Sequence, residues 1–356
     1  MESNLFQELL QISIGSIDSF SRVPTCEEWM ALFKESEKQS VSGIILAGLE
    51  RLPSVQRPPQ ELLLQWIGVG QMIELQNKQV NKRCLDITNV FVNLGFRSCI
   101  LKGQGNGLMY PSPMSRQPGD IDIWIDGSKD DIVKLVHSYY PKANVTEHHV
   151  EFPIYGDVEV EVHYKPAVAV SVRYDKRLRE FWKAHKEEQF ANKKNLANGV
   201  GEITVPTVEF NIVYQMAHMM KHFFSEGLGM RHVIDYYYVL HSAHDVGLSF
   251  KEFSYTFSRL GMKRFACAMM WVLTVMCGMP KEWMICNEDE KRGRLLLDEI
   301  MAGGNFGHGD TRKSKKLMTK SATLSIIMKN LKMVWLFPEE AIMAPVSNVI
   351  RRLKNG

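Results

Sequence analysis

Apolar positions recur at spacings of three and four along most of this chain, and the spacing changes to two over one stretch in its first half. From Asn4 to about Leu52 the rhythm (Leu5, Leu9, Leu10, Ile14, then Trp29, Leu32, Phe33) predicts two amphipathic helices, ended by Pro53 and the Pro58-Pro59 pair. One long helix is expected from Gln60 to Leu94, carried by Leu63, Leu64, Ile67, Met72, Leu75, Val80, Cys84, Ile87, Val90 and Phe91, with Gly95 standing where a helix stops.

Between residues 96 and 165 the pattern is that of a small sheet with helices against it. Phe96 to Leu101 reads as a short strand and Ile121 to Ile125 as a second; Asp126-Gly127 then turns the chain into a helix over Lys129 to Tyr140. Strands at about Val145 to Ile154 and Val158 to Tyr164 are joined at Tyr155-Gly156-Asp157, a hairpin turn. A shorter mixed segment runs to Pro206, within which the polar stretch Asn192 to Gly199 reads as an exposed loop. From Thr207 onward the helical rhythm returns, broken at glycines and prolines. The expected fold class is α+β: a small mixed-sheet core with N-terminal helices and a C-terminal helical domain, divided as residues 1–95, 96–206 and 207–356.

Composition narrows the possibilities. With 45% hydrophobic and 23% charged residues, the 356-residue chain is neither disordered nor fibrous. Forty-three Lys and Arg against 40 Asp and Glu leave +3, too little for a general polyanion-binding surface, so long nucleic acid is the least favoured partner. The uncharged run from Phe265 to Met279 is shorter than the roughly 18–20 residues that cross a bilayer and reads as a core helix. Met1-Glu2-Ser3-Asn4 carries an acid where a signal peptide carries a base. Six cysteines (Cys26, Cys84, Cys99, Cys267, Cys277, Cys286) are scattered without a C-x-x-C pair, as reduced thiols would be. Together these point to a cytoplasmic protein without a membrane partner.

The densest chemistry lies in Gly119-Asp120-Ile121-Asp122-Ile123-Trp124-Ile125. Residues two apart on a strand share a face, so Asp120 and Asp122 project together while Ile121, Ile123 and Ile125 enter the core. Paired carboxylates repel unless a cation sits between them, and oxygen ligands with few constraints suit Mg²⁺. Two acids at a solvent-facing strand end would look the same. Asp157-Val158-Glu159-Val160-Glu161-Val162-His163 adds a second acidic strand with strict alternation. If the two strands adjoin with their acidic faces aligned, three carboxylates converge, enough to hold two metal ions. Upstream, Leu101-Lys102-Gly103-Gln104-Gly105-Asn106-Gly107 follows a strand, and its glycines allow backbone N–H groups to approach a phosphate.

This order of a Lys-Gly turn, a Tyr110-Pro111 segment, Arg116, Gly-Asp-Ile-Asp-Ile and a later Glu-Val-His strand resembles the polymerase-β-like nucleotidyltransferase superfamily. More closely, it is similar to the bacterial branch of uncharacterised nucleotidyltransferases, in which the turn reads Leu-Lys-Gly rather than Gly-Ser. The resemblance implies that Asp120, Asp122 and Glu161 are the metal-binding and catalytic acids, with Glu159 a rival for the third place. Glu161 would also be placed to take a proton from the attacking hydroxyl. It implies that Gly103 and Gln104 border a triphosphate, that Lys102 and Arg116 neutralise its charge, and that Mg²⁺, or Mn²⁺ in its place, is the cofactor. Gly103-Gln104 departs from the usual Gly-Ser, so the hydroxyl that other members offer to a phosphate is missing.

The helical part supplies a second set. His218 and His222 are four apart on one face, Arg231 and Asp235 have the spacing of a helix ion pair, and Lys221 lies among them. The glutamate of H-E-x-x-H is absent, which argues against a catalytic zinc. In proteins like this one the helical domain closes over the nucleotide or acceptor, making Lys221, His222 and Arg231, with Glu159 and His163, second-tier site residues. The Gly303 to Gly309 segment reads as a connector, and the basic face between Thr311 and Lys332 (Arg312, Lys313, Lys315, Lys316, Lys320, Lys329, Lys332) as a solvated face or a contact for a phosphate-bearing partner.

The expected activity is metal-dependent transfer of a nucleoside monophosphate from a nucleoside triphosphate to a hydroxyl acceptor, a small molecule or protein in preference to long nucleic acid, with release of pyrophosphate. The competing expectation is a catalytically inactive nucleotide-binding or antitoxin-like regulatory module.

Overall fold

A computed structural model of the chain describes residues 5–305 and 329–355. The Arg312 to Lys320 part of the basic face, and the end of the glycine-rich connector, lie outside these residues.

Three helices, not two, precede the long one: α1 (Leu5–Ile14), α2 (Cys26–Lys38) and α3 (Ser42–Leu49). Thr25 and Glu28 form a reciprocal cap that starts α2. Ser40, with φ at +56°, lets the chain reverse within a few residues, a break that apolar spacing alone does not mark. The long helix α4 (Gln60–Asn93) is followed by Gly95 at φ +83°, as its sequence predicts.

β1 (Ser98–Ile100), the short helix α5 (Gln104–Gly107), β2 (Ile121–Ile125), α6 (Lys129–Tyr139), β3 (His149–Glu151) and β4 (Val160–His163) form the central unit. Its sheet runs in the order β1-β2-β4-β3. β1 is antiparallel to β2, β2 parallel to β4, and β3 antiparallel to β4. The second acidic strand therefore lies beside the first. α7 (Asp175–Ala184) and α8 (Lys186–Ala191) lead to a correction: the polar stretch after Asn192 is not a loop but one arm of a hairpin, β5 (Lys193–Asn195) with β6 (Glu202–Thr204). Three exposed polar residues give a strand no apolar alternation to read. Leu196, Ile203 and Val205 anchor this hairpin under the sheet.

The rest is helical: α9 (Val208–Ser225), α10 (Met230–Asp245), α11 (Phe253–Arg259), α12 (Lys263–Cys277), α13 (Glu290–Gly303) and a final helix, Pro338–Asn355. Among the described residues no helix is long and apolar enough to cross a membrane. The uncharged run after Phe265 is the buried helix α12, closed by Gly278 in the left-handed region.

Two apolar cores hold the elements together. One joins α1 to α3 and the start of α4 (Leu62, Trp66) to α9, α10 and α12. The other joins the end of α4 (Val80, Cys84, Ile87, Phe91) to the sheet and α6. Ile121, Ile123 and Ile125 face this second core. The opposite face of β2 carries Asp122, and Trp124, which stacks on Phe210 of α9 with ring centroids 5.9 Å apart. Alternation thus fixes the side of the sheet on which the acids stand, and the packing of Trp124 brings α9 over it.

Candidate functional site

Parallel pairing of β2 with β4 sets Asp122 directly opposite Glu161. His163, one residue pair further along the same face, lies with Nε2 3.0 Å from Asp122 Oδ1 and 3.3 Å from Glu161 Oε2. The β3–β4 hairpin then sets His149 opposite His163, with its Nδ1 3.0 Å from Glu161 Oε2. Asp120 stands just before β2. Lys102, following β1, lies with Nζ 3.0 Å from Asp122 Oδ2 and 3.4 Å from Asp120 Oδ2. Lys102, Asp120, Asp122, Glu161, His163 and His149 are therefore one continuous cluster.

Its electrostatics follow from these contacts. Burial works against the Lys102 ammonium, but Asp120, Asp122 and Glu161 outweigh it and keep the pKa above that of an ordinary lysine. Burial likewise disfavours the Asp122 carboxylate, yet Lys102 and His163 hold its pKa below the usual value. For Glu161, burial is overcome by His149 and His163, and its pKa falls well below the carboxylate range. His163, although buried, is raised to about 9 by Asp122 and Glu161. Asp122 and Glu161 are thus held ionised, beside the Lys102 ammonium and the His163 imidazolium.

Gly103, just after Lys102, adopts φ +57°, which only glycine does without strain. A Cβ there would meet the Asp120 carbonyl at 3.4 Å, an ordinary contact, so it is the left-handed backbone and not lack of space that calls for glycine. The turn therefore brings Lys102 and the start of β2 together through bare backbone.

A family model described as "Uncharacterised nucleotidyltransferase" matches residues 25–278, more than two thirds of the chain. The chain belongs to this family. Neither the curated proteins nor the solved structures contain a match. The matched span includes the whole of the sheet, the Lys-Gly turn and the helices α9 and α10 that cover them.

The remaining sequence-derived residues of this nucleotidyltransferase-family protein are placed differently from one another. Gln104 turns away from the acids and is buried against α4, its amide donating to Asn77 Oδ1 at 3.2 Å and to Asn81 Oδ1. Arg116 is buried in a two-pronged pair with Asp235, Nε to Oδ1 and Nη2 to Oδ2 both at 2.7 Å. Arg231 and Asp235 are thus not the helix pair that their spacing predicts. Arg231 instead donates to the carbonyls of Gln117 and Pro118 at 3.2 and 3.3 Å, holding the chain that enters β2. Glu159 lies before β4 and is exposed, whereas Glu161 enters the cluster. Lys221 reaches the site's rim, its Nζ 3.0 Å from His148 Nε2, and His222 is drawn to Glu226 at 2.9 Å. Burial lowers the Lys221 pKa.

Three participants escaped the sequence reading: His148, His149 and Tyr214. Extending the hairpin register from the Tyr155-Gly156-Asp157 turn would have paired His149 with His163 and exposed the first two. Tyr214, fully buried on α9, has its hydroxyl raised well above its ordinary pKa by burial and then by Asp122, Asp120 and Glu161.

The donor set fits a divalent cation. Two carboxylates on adjacent strands and a third two residues away make an oxygen-rich corner, in which Lys102 Nζ, 3.0 Å from the buried Asp122 Oδ2, holds a place that a divalent cation could take.

Proposed function

We propose that this protein transfers a nucleoside monophosphate from a nucleoside triphosphate to a hydroxyl acceptor, using a divalent metal at Asp120, Asp122 and Glu161, and that it has the polymerase-β-like form of the fold. The observation that supports this most directly is the register Asp122 to Glu161 across β2 and β4, which converts two sequence motifs into one three-acid site. When bound, the metal would supply charge neutralisation at the phosphates and polarise the attacking oxygen.

The chain's own residues divide the remaining work. Lys102 is the cation nearest the acids and lies at the mouth of the Lys-Gly turn, where it can exchange a carboxylate for a phosphate oxygen. Gly103 leaves room for backbone to approach a phosphate. Glu161, held strongly ionised by two histidines, has the low proton affinity of a ligand more than of a base. Arg116, buried against Asp235, acts on the site by fixing the segment before β2. Arg231 anchors the same segment from α10, and Lys221 on α9 presents the cation on the rim that would meet an incoming anion.

Incubation of the full chain with labelled ATP, GTP, CTP or UTP and candidate small-molecule and protein acceptors tests the reading. Transfer is expected with Mg²⁺ or Mn²⁺ and is expected to vanish in the Asp120→Asn, Asp122→Asn double variant. Transfer that survives both changes would end the assignment. Two features favour a second reading, nucleotide binding without turnover as in an antitoxin-like regulator. Lys102 already compensates Asp120 and Asp122, and Gln104 offers no hydroxyl to a phosphate. Tight nucleotide binding by calorimetry, with no divalent dependence and no transfer, would select it.

A further inference from the structure

Two of the six cysteines meet, Cys267 in α12 and Cys286 in the connection from α12 to α13, with their sulfurs 3.4 Å apart. Both are free thiols. The chain is brought back to α12 by contacts on either side of Cys286. Gly278 ends the helix in the left-handed region, and Trp283 then packs on Tyr237 and His241 of α10 with ring centroids 5.5 and 5.0 Å apart. Beyond Cys286, the Asp289 N–H donates to the Cys267 carbonyl at 3.0 Å, and the Asp289 carboxylate caps α13 by accepting from the Arg292 N–H at 3.0 Å. The backbone around the pair is therefore already fixed. What separates the sulfurs from the roughly 2.05 Å of a disulfide is about 1.4 Å, within reach of rotation about the two Cα–Cβ bonds.

The two thiols differ. Cys267 is half-buried and can be reached from solvent, whereas Cys286 is nearly closed off. Contact with Cys286 sets the Cys267 thiol below its ordinary pKa, an effect to which Lys263 and Arg292 add, while contact with Cys267 and then burial push Cys286 up. Thiolate character and access coincide on the same sulfur. Cys84, Cys99 and Cys277, by contrast, are buried, and burial raises all three. A metal is a poor occupant of the pair, since among the described residues no third His, Cys, Asp or Glu joins it at ligating distance, and zinc takes four ligands.

We propose that Cys267 and Cys286 form a reversible disulfide-forming site, with Cys267 the sulfur that a hydroperoxide oxidises and Cys286 the sulfur that resolves it. In the first step the Cys267 thiolate attacks one oxygen of hydrogen peroxide and the O–O bond breaks, leaving a sulfenic acid and a hydroxide that takes up the proton Cys267 had released. In the second, the Cys286 sulfur attacks that of Cys267, the S–S bond forms as the S–O bond breaks, and the departing hydroxyl leaves as water with the Cys286 proton. Two thiols and one peroxide thus give one disulfide and two waters, two electrons passing from sulfur to oxygen. No residue of the acid cluster takes part.

The test uses the full chain, reduced and then freed of reductant. It is exposed to a small excess of hydrogen peroxide, its remaining thiols are blocked under denaturing conditions, and it is digested and examined by mass spectrometry without reduction. The free-thiol count should fall by two from six. A peptide pair joined through Cys267 and Cys286, two hydrogens lighter than its separate parts and released by dithiothreitol, is expected. With the resolving sulfur removed in Cys286→Ser, dimedone should label Cys267; in Cys267→Ser, Cys286 should remain a thiol. The wild-type measurement needs no variant, so it decides the matter even where a serine form fails to fold. Recovery of Cys267 and Cys286 as free thiols while Cys26 is oxidised would overturn the proposal. Dimedone labelling of Cys286 in Cys267→Ser, with none at Cys267 in Cys286→Ser, would overturn it as well.

Discussion

Arg116 and Asp235, 119 residues apart in the chain, meet in a buried two-pronged ion pair that ties the segment entering β2 to α10. Tyr110 adds a hydrogen bond to Asp235 Oδ1 at 2.5 Å, and Asn106 a longer one at 3.4 Å. Burial opposes the Asp235 carboxylate, but Arg116 and Tyr110 bring its pKa down to about 2. Asp235→Asn leaves the guanidinium buried without its counter-charge and is expected to cost about 3–5 kcal/mol in urea unfolding. An unfolded aspartate titrates near 3.9. The stability from this pair is therefore full above that pH and is lost as pH falls from there towards 2. A loss under about 1 kcal/mol in Asp235→Asn would show that the pair is not the anchor described.

Gln104 follows Gly103 in the Lys-Gly turn, yet its side chain packs onto α4. Gln104→Ser would put a hydroxyl in the turn while leaving the amide oxygens of Asn77 and Asn81 without the donor they accept from. The expected result is a protein about 1–3 kcal/mol less stable with no gain in nucleotide affinity. Denaturation and nucleotide calorimetry on the one variant decide it. Tighter binding at unchanged stability would mean that the turn is wired for phosphate after all.

Lys102 competes with any metal for Asp120 and Asp122. Lys102→Gln removes a buried cation 3.0 and 3.4 Å from two carboxylate oxygens, and it is expected to raise divalent-ion affinity by roughly tenfold while lowering stability in chelator. Melting temperature measured across a Mg²⁺ series reads both effects. An unchanged midpoint of the metal titration would place the ion elsewhere.

Two buried histidines, His218 on α9 and His232 on α10, give the fold a dependence on mild acid. Burial, aided by Lys102, keeps His218 well below its ordinary pKa, and burial with Arg231 does the same for His232. Both rings are neutral in the folded protein, while the unfolded chain takes up protons below about 6.5. Their contribution is complete above that pH and is lost as pH falls, by up to about 1.4 kcal/mol per pH unit for each ring. His163, raised to about 9, has the opposite sign, its contribution being lost between about 6.5 and 9. Unfolding between about pH 5 and 6.5 should therefore show a shallower slope in His232→Gln than in the wild type, and identical slopes would refute this account.

What could be read from residues alone follows the strength of local patterning. α4 was legible almost to the residue because its apolar period runs unbroken to a glycine stop. The D-x-D strand was legible because isoleucines alternate with the acids, and the hairpin was legible from its turn. The third N-terminal helix was missed because one left-handed serine interrupts no apolar rhythm, and β5 because it has no apolar residue to betray it. At the site, the three acids could be named but not their company. Lys102 could be placed near the turn, whereas its contact with both aspartates, and the diversion of Arg116 and Gln104 into buried networks, depend on residues 18 or more positions away in the chain. Long-range partners such as Asp235 leave no mark in the spacing around Arg116.

α4 measures 34 residues, about 50 Å, and its two ends are packed into different cores. A backbone cut near its midpoint would strand an apolar stripe on each fragment, so neither piece should stay dissolved by itself, while the two supplied together should recombine. The rod makes the melting of one half felt at the other, and a single cooperative transition is the natural outcome for a chain organised around one shared axle.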